Sequence, residues 1–201
     1  MHIVIKIEGI SALICNRFSD AAAEASTTGT RGASAAADRG TPNEQAEARL
    51  YIGLAGKPMI PQPNLLRCLV DGGRFHKIGK KQLTTQRESM LFGCVDIAAV
   101  EIPIEFKQPW RVDTRAVRIP STGGRILCHR PTFDDWALEF ELTLDTDILG
   151  VNLLRSIIDD AGKRIGLGDF RPACKGPYGR FKVVQWEVLK EVEPAMQIAA
   201  E

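Results

Sequence analysis

The chain has 201 residues, 26 Lys and Arg against 25 Asp and Glu, a formal net charge of +1 and 44% hydrophobic residues. That length and apolar share suit one domain with a sizeable core, and the near-neutral charge excludes a histone-like polycation, so any grip on nucleic acid has to come from local clusters of Arg and Lys. Five cysteines, Cys15, Cys68, Cys94, Cys128 and Cys174, are scattered, odd in number and never spaced C-x-x-C, which fits reduced intracellular thiols better than a disulfide frame or a structural zinc site.

His2 to Cys15 reads as an opening strand, apolar at Ile3, Ile5 and Ile7, with Gly9 permitting a bend. It lacks the apolar block and cleavage site of a signal peptide, and no run approaches the ~20 apolar residues of a membrane span, so a cytoplasmic protein is expected. Residues 19–40 are rich in Ala, Ser, Thr and Gly with little to anchor a core; with the stretch after them they predict a mobile insertion over 19–49. Within it, Thr41-Pro42-Asn43-Glu44 resembles a capping box that opens a short helix to about Leu50. After a turn at Gly53 to Gly56, Asn64 is placed to cap a helix with Leu65, Leu66, Leu69 and Val70 on one face, ending near Gly72-Gly73.

Phe75 to Arg87 is a basic loop, followed by an apolar stretch from Met90 to Ile104. Two strand-like runs come next: Arg115 to Cys128, interrupted by Ser121-Thr122-Gly123-Gly124, and Trp136 to Leu144, which alternates cleanly. Asp134-Asp135 makes the turn between them. Val151 to Ile165 has the apolar spacing of an amphipathic helix, and Arg180 to Leu189 is the final strand. Without insertions the order is strand, helix, strand, strand, helix, strand. This predicts an α+β fold, the ferredoxin-like (RRM-like) βαββαβ plan with an antiparallel sheet and one face free, as a single domain over residues 1–201 with a protruding hairpin or thumb over 115–130.

The stretch richest in chemistry lies near the C-terminus. Gly162 to Pro172 and Gly176 to Val183 set glycines among basic residues at a helix-to-strand junction, where backbone amides can approach a phosphate without interference from Cβ. The alternative is a helix C-cap at Gly166 or Gly168 and a tight turn before the last strand.

Three features in this order resemble the RAMP superfamily of CRISPR effector proteins, in particular its backbone subunits. They are Gly56-Lys57-Pro58-Met59-Ile60-Pro61-Gln62-Pro63-Asn64-Leu65-Leu66-Arg67-Cys68-Leu69 leading into the first helix, the glycine-rich loop split between Gly166-Leu167-Gly168 and Gly176-Pro177-Tyr178-Gly179-Arg180, and an insertion directly after the first strand. The chain departs from that pattern in Cys68, where a small residue is usual, in Pro63-Asn64, and in the interruption from Asp169 to Lys175. It is also similar to small proteins of phages and mobile elements. The resemblance implies a protein that coats single-stranded guide RNA, packs against copies of itself and joins other effector-complex subunits.

A coat of this kind grips a repeating phosphate backbone through basic side chains and amides. The candidates are Arg67 and Arg74 on and just after the first helix, and Lys77, Lys80 and Lys81 in the basic loop. Arg115, Arg118 and Arg125 stand around the hairpin, and Gly166, Gly168, Arg171, Lys175, Gly176, Gly179 and Arg180 surround the glycines. Each basic residue taken singly reads as a solvated surface charge; their concentration in three loops makes a binding set. Lys175 to Phe181 is also similar to the aromatic strand of RNA-recognition motifs, but its proline and its place on the last strand make Tyr178 and Phe181 packing residues.

A second reading is a metal-independent endoribonuclease of the same superfamily, with His76 or His129 as general base and Lys80 or Arg130 as the cation for the transition state. Asp20 stands where target-cleaving relatives carry an acidic residue, a match of position only. Gly73 to Lys81 lacks the spacing and the Ser or Thr of a P-loop, and no G-x-S-x-G is present. The acidic pairs fall in a turn, at a strand end and on a helix face rather than in a two-metal arrangement, so no metal or cofactor is expected. A third reading is a self-assembling interaction protein without nucleic acid. The basic loops, with what the resemblance implies, favour a non-catalytic binder of single-stranded RNA, or DNA, that oligomerises along the strand.

Overall fold

A computed structural model describes residues 1–18, 40–118 and 123–189. In chain order its elements are β1 (His2–Gly9), β2 (Leu13–Ile14), α1 (Pro42–Glu47), β3 (Met59–Pro61), α2 (Gln62–Gly72), β4 (Lys77–Ile78), β5 (Lys81–Gln82), α3 (Leu91–Cys94), β6 (Val95–Ile97), β7 (Glu101–Pro103), β8 (Arg111–Arg118), β9 (Arg125–Phe133), β10 (Ala137–Leu144), α4 (Val151–Asp160) and β11 (Phe181–Leu189). It is an α+β protein built on antiparallel sheets.

The largest sheet has the order β11-β1-β10-β6, antiparallel throughout. Strict alternation in β1 buries Ile3, Ile5 and Ile7 completely, and the register sets them beside Leu142, Phe140 and Leu138 of β10. Full burial of one such side chain stabilises the fold by roughly 1.5–3 kcal/mol. Helices α2 and α4 cover this face through Leu65, Leu69, Leu154, Ile157 and Ile158, and Gly72 lets them approach so closely that a Cβ there would lie 2.8 Å from the Ile157 carbonyl oxygen. The opposite face holds the outward residues, Lys6 and Glu139 among them. No helix of the described residues is long and apolar enough to cross a membrane.

The strand beside β10 is the three-residue β6, drawn from the apolar stretch after the basic loop. Residues 115–118 and 125–128, expected to supply a strand of that sheet, are strand but belong to a separate ladder, β2-β9-β8, in which β8 and β9 make a hairpin running from Arg111 opposite Thr132 to Arg118 opposite Arg125. The capping box is present: Thr41 Oγ1 accepts from the Glu44 amide at 3.3 Å, and Glu44 accepts from the Thr41 amide at 2.7 Å. So the expected insertion over 19–49 ends in a helix, α1, packed on β8 and β9, while 19–39 lie outside the described residues. Helix α2 starts at Gln62 with Pro61 as N-cap, not at Asn64, because Pro63 is tolerated in a first turn whose amides have no intrahelical partner.

Candidate nucleic-acid interface

Two of the motifs singled out in the sequence meet in space. Asn64, Arg67, Cys68 and Asp71 recur at helical spacing on one side of α2 and face Ile165 to Asp169 and Arg171, which follow the end of α4. Between them lies a cleft of about 260 Å³, completed by Cys15, Asn16, Tyr51 and Ile60. Helix and loop are joined at its floor, where the Cys68 thiol lies 3.3 Å from the Gly166 carbonyl oxygen. The chain reaches the loop from α4 through a π-helical turn over Ala161–Ile165, which Gly166 ends with φ 74°.

The glycines of this loop serve close backbone approach. At Gly168, with φ +72°, a Cβ would run into the Ile14 carbonyl; at Gly179, with φ +65°, it would run into that of Leu167. The amides expected to cradle phosphate are largely committed within the protein. Those of Gly166, Leu167, Asp169, Gly176, Tyr178 and Gly179 donate to the carbonyls of Ala161, Gly179, Ile14, Arg171, Phe170 and Ala12 at 2.8–3.2 Å, and that of Phe170 to the Asp169 carboxylate at 2.8 Å. The loop therefore offers side chains to a ligand more than amides.

With Arg67 and Asp71 of α2, the loop's Asp169 and Arg171 give the cleft two cations and two carboxylates, and each carboxylate is held by at least one guanidinium. Arg67 Nε and Arg74 Nη2 lie 3.2 and 3.0 Å from Asp71 Oδ1, and Arg130 Nη1 lies 2.7 Å from Asp169 Oδ2. Arg171 Nη1 donates to the Gly168 carbonyl at 2.9 Å. Three guanidiniums thus hold two acids, and that of Arg171 lines the same cleft. At the Asp71 end the basic loop continues the positive edge: β4 and β5 form a two-stranded ribbon carrying Lys77, Lys80 and Lys81, tied back by the Gln82 side-chain amide donating to the Arg74 carbonyl. Lys81 lies 3.5 Å from Glu88, whereas Lys77 and Lys80 have no carboxylate within 4 Å among the described residues. Lys175, in the left-handed conformation at φ 62°, and Arg180 are exposed beside the loop.

No family model matches the chain, and no curated protein matches it in sequence. Solved structures match it in fold. The chain superposes on one from the cryo-EM structure of a Type III-B Cmr-beta bound to cognate target RNA with a TM-score of 0.56 at 11% identity, over 94% of its own length and 61% of that chain. The fold is shared with that Cmr-beta chain. A chain of a Type IV-B CRISPR complex gives a TM-score of 0.45 at 12% identity, covering both chains fully.

The remaining candidates fall elsewhere. Arg115 is held by Asp113, 2.8 Å from its Nε, and by the Tyr178 hydroxyl, and stacks on the Tyr178 ring at 4.8 Å. Arg118 and Arg125 stand opposite each other at the far end of the hairpin and do not line the cleft. His76 Nε2 pairs with Asp160 at 3.0 Å, and His129 Nδ1 with the Thr114 hydroxyl at 2.8 Å. Arg130, proposed with His129 as the cation for strand cleavage, is 2% exposed and bound between Asp113 and Asp169. Adjacent strand residues face opposite ways, so His129 and Arg130 do not share a site. Asp20 lies outside the described residues. Burial pushes the Cys15 thiol up to about 12 and raises that of Cys68 still further, so neither is a thiolate nucleophile near neutrality. Among the described residues no three His, Cys, Asp or Glu side chains are grouped to hold a metal ion.

The residue that sequence reasoning missed is Asp169. It sits in the stretch counted as an interruption of the glycine motif, yet it bonds Asn16 at 2.9 Å as well as Arg130 and forms the cleft wall.

Proposed function

We propose that this chain is a subunit of a CRISPR effector complex of RAMP type that binds single-stranded RNA along its sugar-phosphate backbone and packs against copies of itself, without chemistry of its own. Its four-stranded sheet, taken by position in the chain, has the order fourth, first, third, second, with two helices on one face, which supports the ferredoxin-like plan. The observation that carries the reading is the convergence of the α2 motif and the glycine-rich loop on one cleft edged by Arg67, Arg74 and Arg171, in a fold shared with a chain of an RNA-bound complex. The backbone track runs from Arg171 through Arg67 and Arg74 to Lys77, Lys80 and Lys81, with Lys175 and Arg180 flanking it. Point charges along a track suit phosphate contacts that do not read sequence. The endoribonuclease reading loses support, because both histidines are engaged outside the cleft and the proposed cation is buried.

The test is size-exclusion chromatography with absorbance at two wavelengths on protein expressed without added nucleic acid, followed by nuclease digestion. A large species with excess nucleic-acid absorbance that collapses with RNase supports the reading. Sensitivity to DNase alone replaces RNA by DNA. A monomer that also ignores added single strands overturns it in favour of the interaction-protein alternative.

A further inference from the structure

Of the two carboxylates in the cleft, one has its hydrogen bonds and the other does not. Asp169 Oδ2 accepts from Asn16 Nδ2 at 2.9 Å and from Arg130 Nη1 at 2.7 Å, and its Oδ1 accepts from the Phe170 amide at 2.8 Å. Asp71 is only 8% exposed, yet its Oδ1 is buried without a hydrogen bond. Arg67 Nε and Arg74 Nη2 approach that oxygen at 3.2 and 3.0 Å as ion pairs, neither with an N–H aligned on it, and Oδ2 accepts no hydrogen bond among the described residues. Carboxylates this far from water normally have donors, and one without them is a costly arrangement that a ligand's donor would relieve. The cleft supplies no substitute. The Cys68 thiol lies against the Gly166 carbonyl at 3.3 Å, and Asn16 Nδ2 and Arg171 Nη1 donate to Asp169 and to the Gly168 carbonyl.

The place of Asp71 on the track names the donor. It follows Arg67 by one turn of α2 and lies deeper, its side chain 11% exposed against 59% for the guanidinium. A strand that sets a phosphate on Arg67 at the cleft edge brings the adjoining sugar over Asp71. The carboxylate accepts hydrogen bonds and donates none, and it repels the phosphates themselves. The sugar-phosphate backbone of RNA carries one hydrogen-bond donor, the ribose 2′-hydroxyl, and that of DNA carries none.

We propose that Asp71 accepts a hydrogen bond from a ribose 2′-hydroxyl of the bound strand and thereby makes the cleft select RNA over DNA, whatever the base. The inference rests on the strand-binding reading above. It adds a residue that reads the sugar beside cations that would hold the phosphates of either nucleic acid.

The test compares three strands of one base and one length, short oligouridine, oligodeoxyuridine and 2′-O-methyl oligouridine, by fluorescence anisotropy on the full chain. The methylated strand keeps the 2′-oxygen but not its hydrogen. Oligouridine is expected to bind about tenfold or more tighter than either other strand, the scale of one hydrogen bond to a charged acceptor. Asp71→Ala is expected to bring the three affinities within about threefold of one another, and to leave the deoxy strand bound as tightly as before or more so, because a repulsion on its phosphates is removed. If Asp71 only places Arg67 and Arg74, the variant weakens all strands alike and keeps the preference, which overturns the proposal. Equal binding of oligouridine and oligodeoxyuridine by the unsubstituted chain overturns it too, as does a methylated strand that binds like oligouridine. Circular dichroism melting checks the fold. Where Asp71→Ala does not fold, Asp71→Asn keeps the side-chain volume and carries the same comparison, and an unchanged preference there is equally fatal. If no strand binds, the functional reading and this inference fall together; if all three bind alike, only this inference falls.

Discussion

Arg130 Nη1 donates to Asp169 Oδ2 at 2.7 Å, and through this bond the base of the hairpin is fixed to the wall of the cleft. The guanidinium also reaches Asp113 at 3.3 Å, and its carbon lies 5.9 Å from the Phe170 ring centroid. A second guanidinium repeats the tie, with Arg115 bonded to Asp113 and Tyr178. Hairpin and glycine-rich loop, distant in sequence, are thereby held in one register.

Arg130 is 2% exposed and Asp113 6%, so removing the cation leaves a buried carboxylate short of a partner. Arg130→Ala is expected to lower the unfolding free energy by about 3–5 kcal/mol, measured by urea denaturation. A decrease below about 1 kcal/mol would mean that water replaces the guanidinium and that the tie is solvated. Asp169→Asn, at a less buried site, is expected to cost less.

At Gly179 two demands coincide, a positive φ and a Cβ direction blocked by the Leu167 carbonyl. Gly179→Ala is therefore expected to destabilise by more than the ~1–2 kcal/mol of left-handed backbone alone. Gly56→Ala is the control, because φ is +70° there but nothing lies within 4 Å of the Cβ position. Equal thermal shifts for the two variants would show that the loop relaxes around the added methyl.

Much of this arrangement is legible in the residues alone, and the failures have physical causes. The alternation in Ile3, Ile5 and Ile7 and in Leu138, Phe140, Leu142 and Leu144 marks central strands with one buried face. By contrast, β6 spans three residues, too few to show a period, so its role as sheet partner is invisible in the sequence and the longer run over 115–128 stands in for it. Arg130 reads as a surface residue by type; only its pairing with Asp113 and Asp169 makes burial tolerable. The glycines are legible as a site but not as to use, since sequence cannot say whether an amide faces a ligand or a carbonyl from a distant part of the chain. Gly179, bonded to Ala12, is the clearest case.

Substituting the cleft cations tests the proposed track. Arg67→Ala/Arg171→Ala is expected to weaken binding of single-stranded RNA irrespective of sequence, and to make the slope of log affinity against log salt shallower by about 0.7 for each phosphate left unneutralised. Lys80→Ala/Lys81→Ala should act likewise if the ribbon continues the track. Unchanged affinity and slope in either variant would remove those residues from the interface. A flat salt profile in the unsubstituted protein would count against backbone recognition altogether.

The thiols give a test of the fold that needs no ligand. Cys174 is exposed, while Cys15, Cys68, Cys94 and Cys128 are buried. Burial raises the Cys15 thiol from an ordinary 9 to about 12, so the native state holds its proton where the unfolded state releases it. The neutral form is favoured by folding, and its contribution is therefore complete below about pH 9 and is lost progressively as pH rises toward 12. At pH 8 a thiol-specific reagent is expected to label one cysteine, Cys174, rapidly and the others only at the rate of global opening. Stability measured by denaturant should decline through the alkaline range, and Cys15→Ala should flatten that decline while lowering stability at neutral pH. Rapid labelling of Cys15 at pH 8 in folded protein would show that β2 opens away from the glycine-rich loop, and the cleft wall with it.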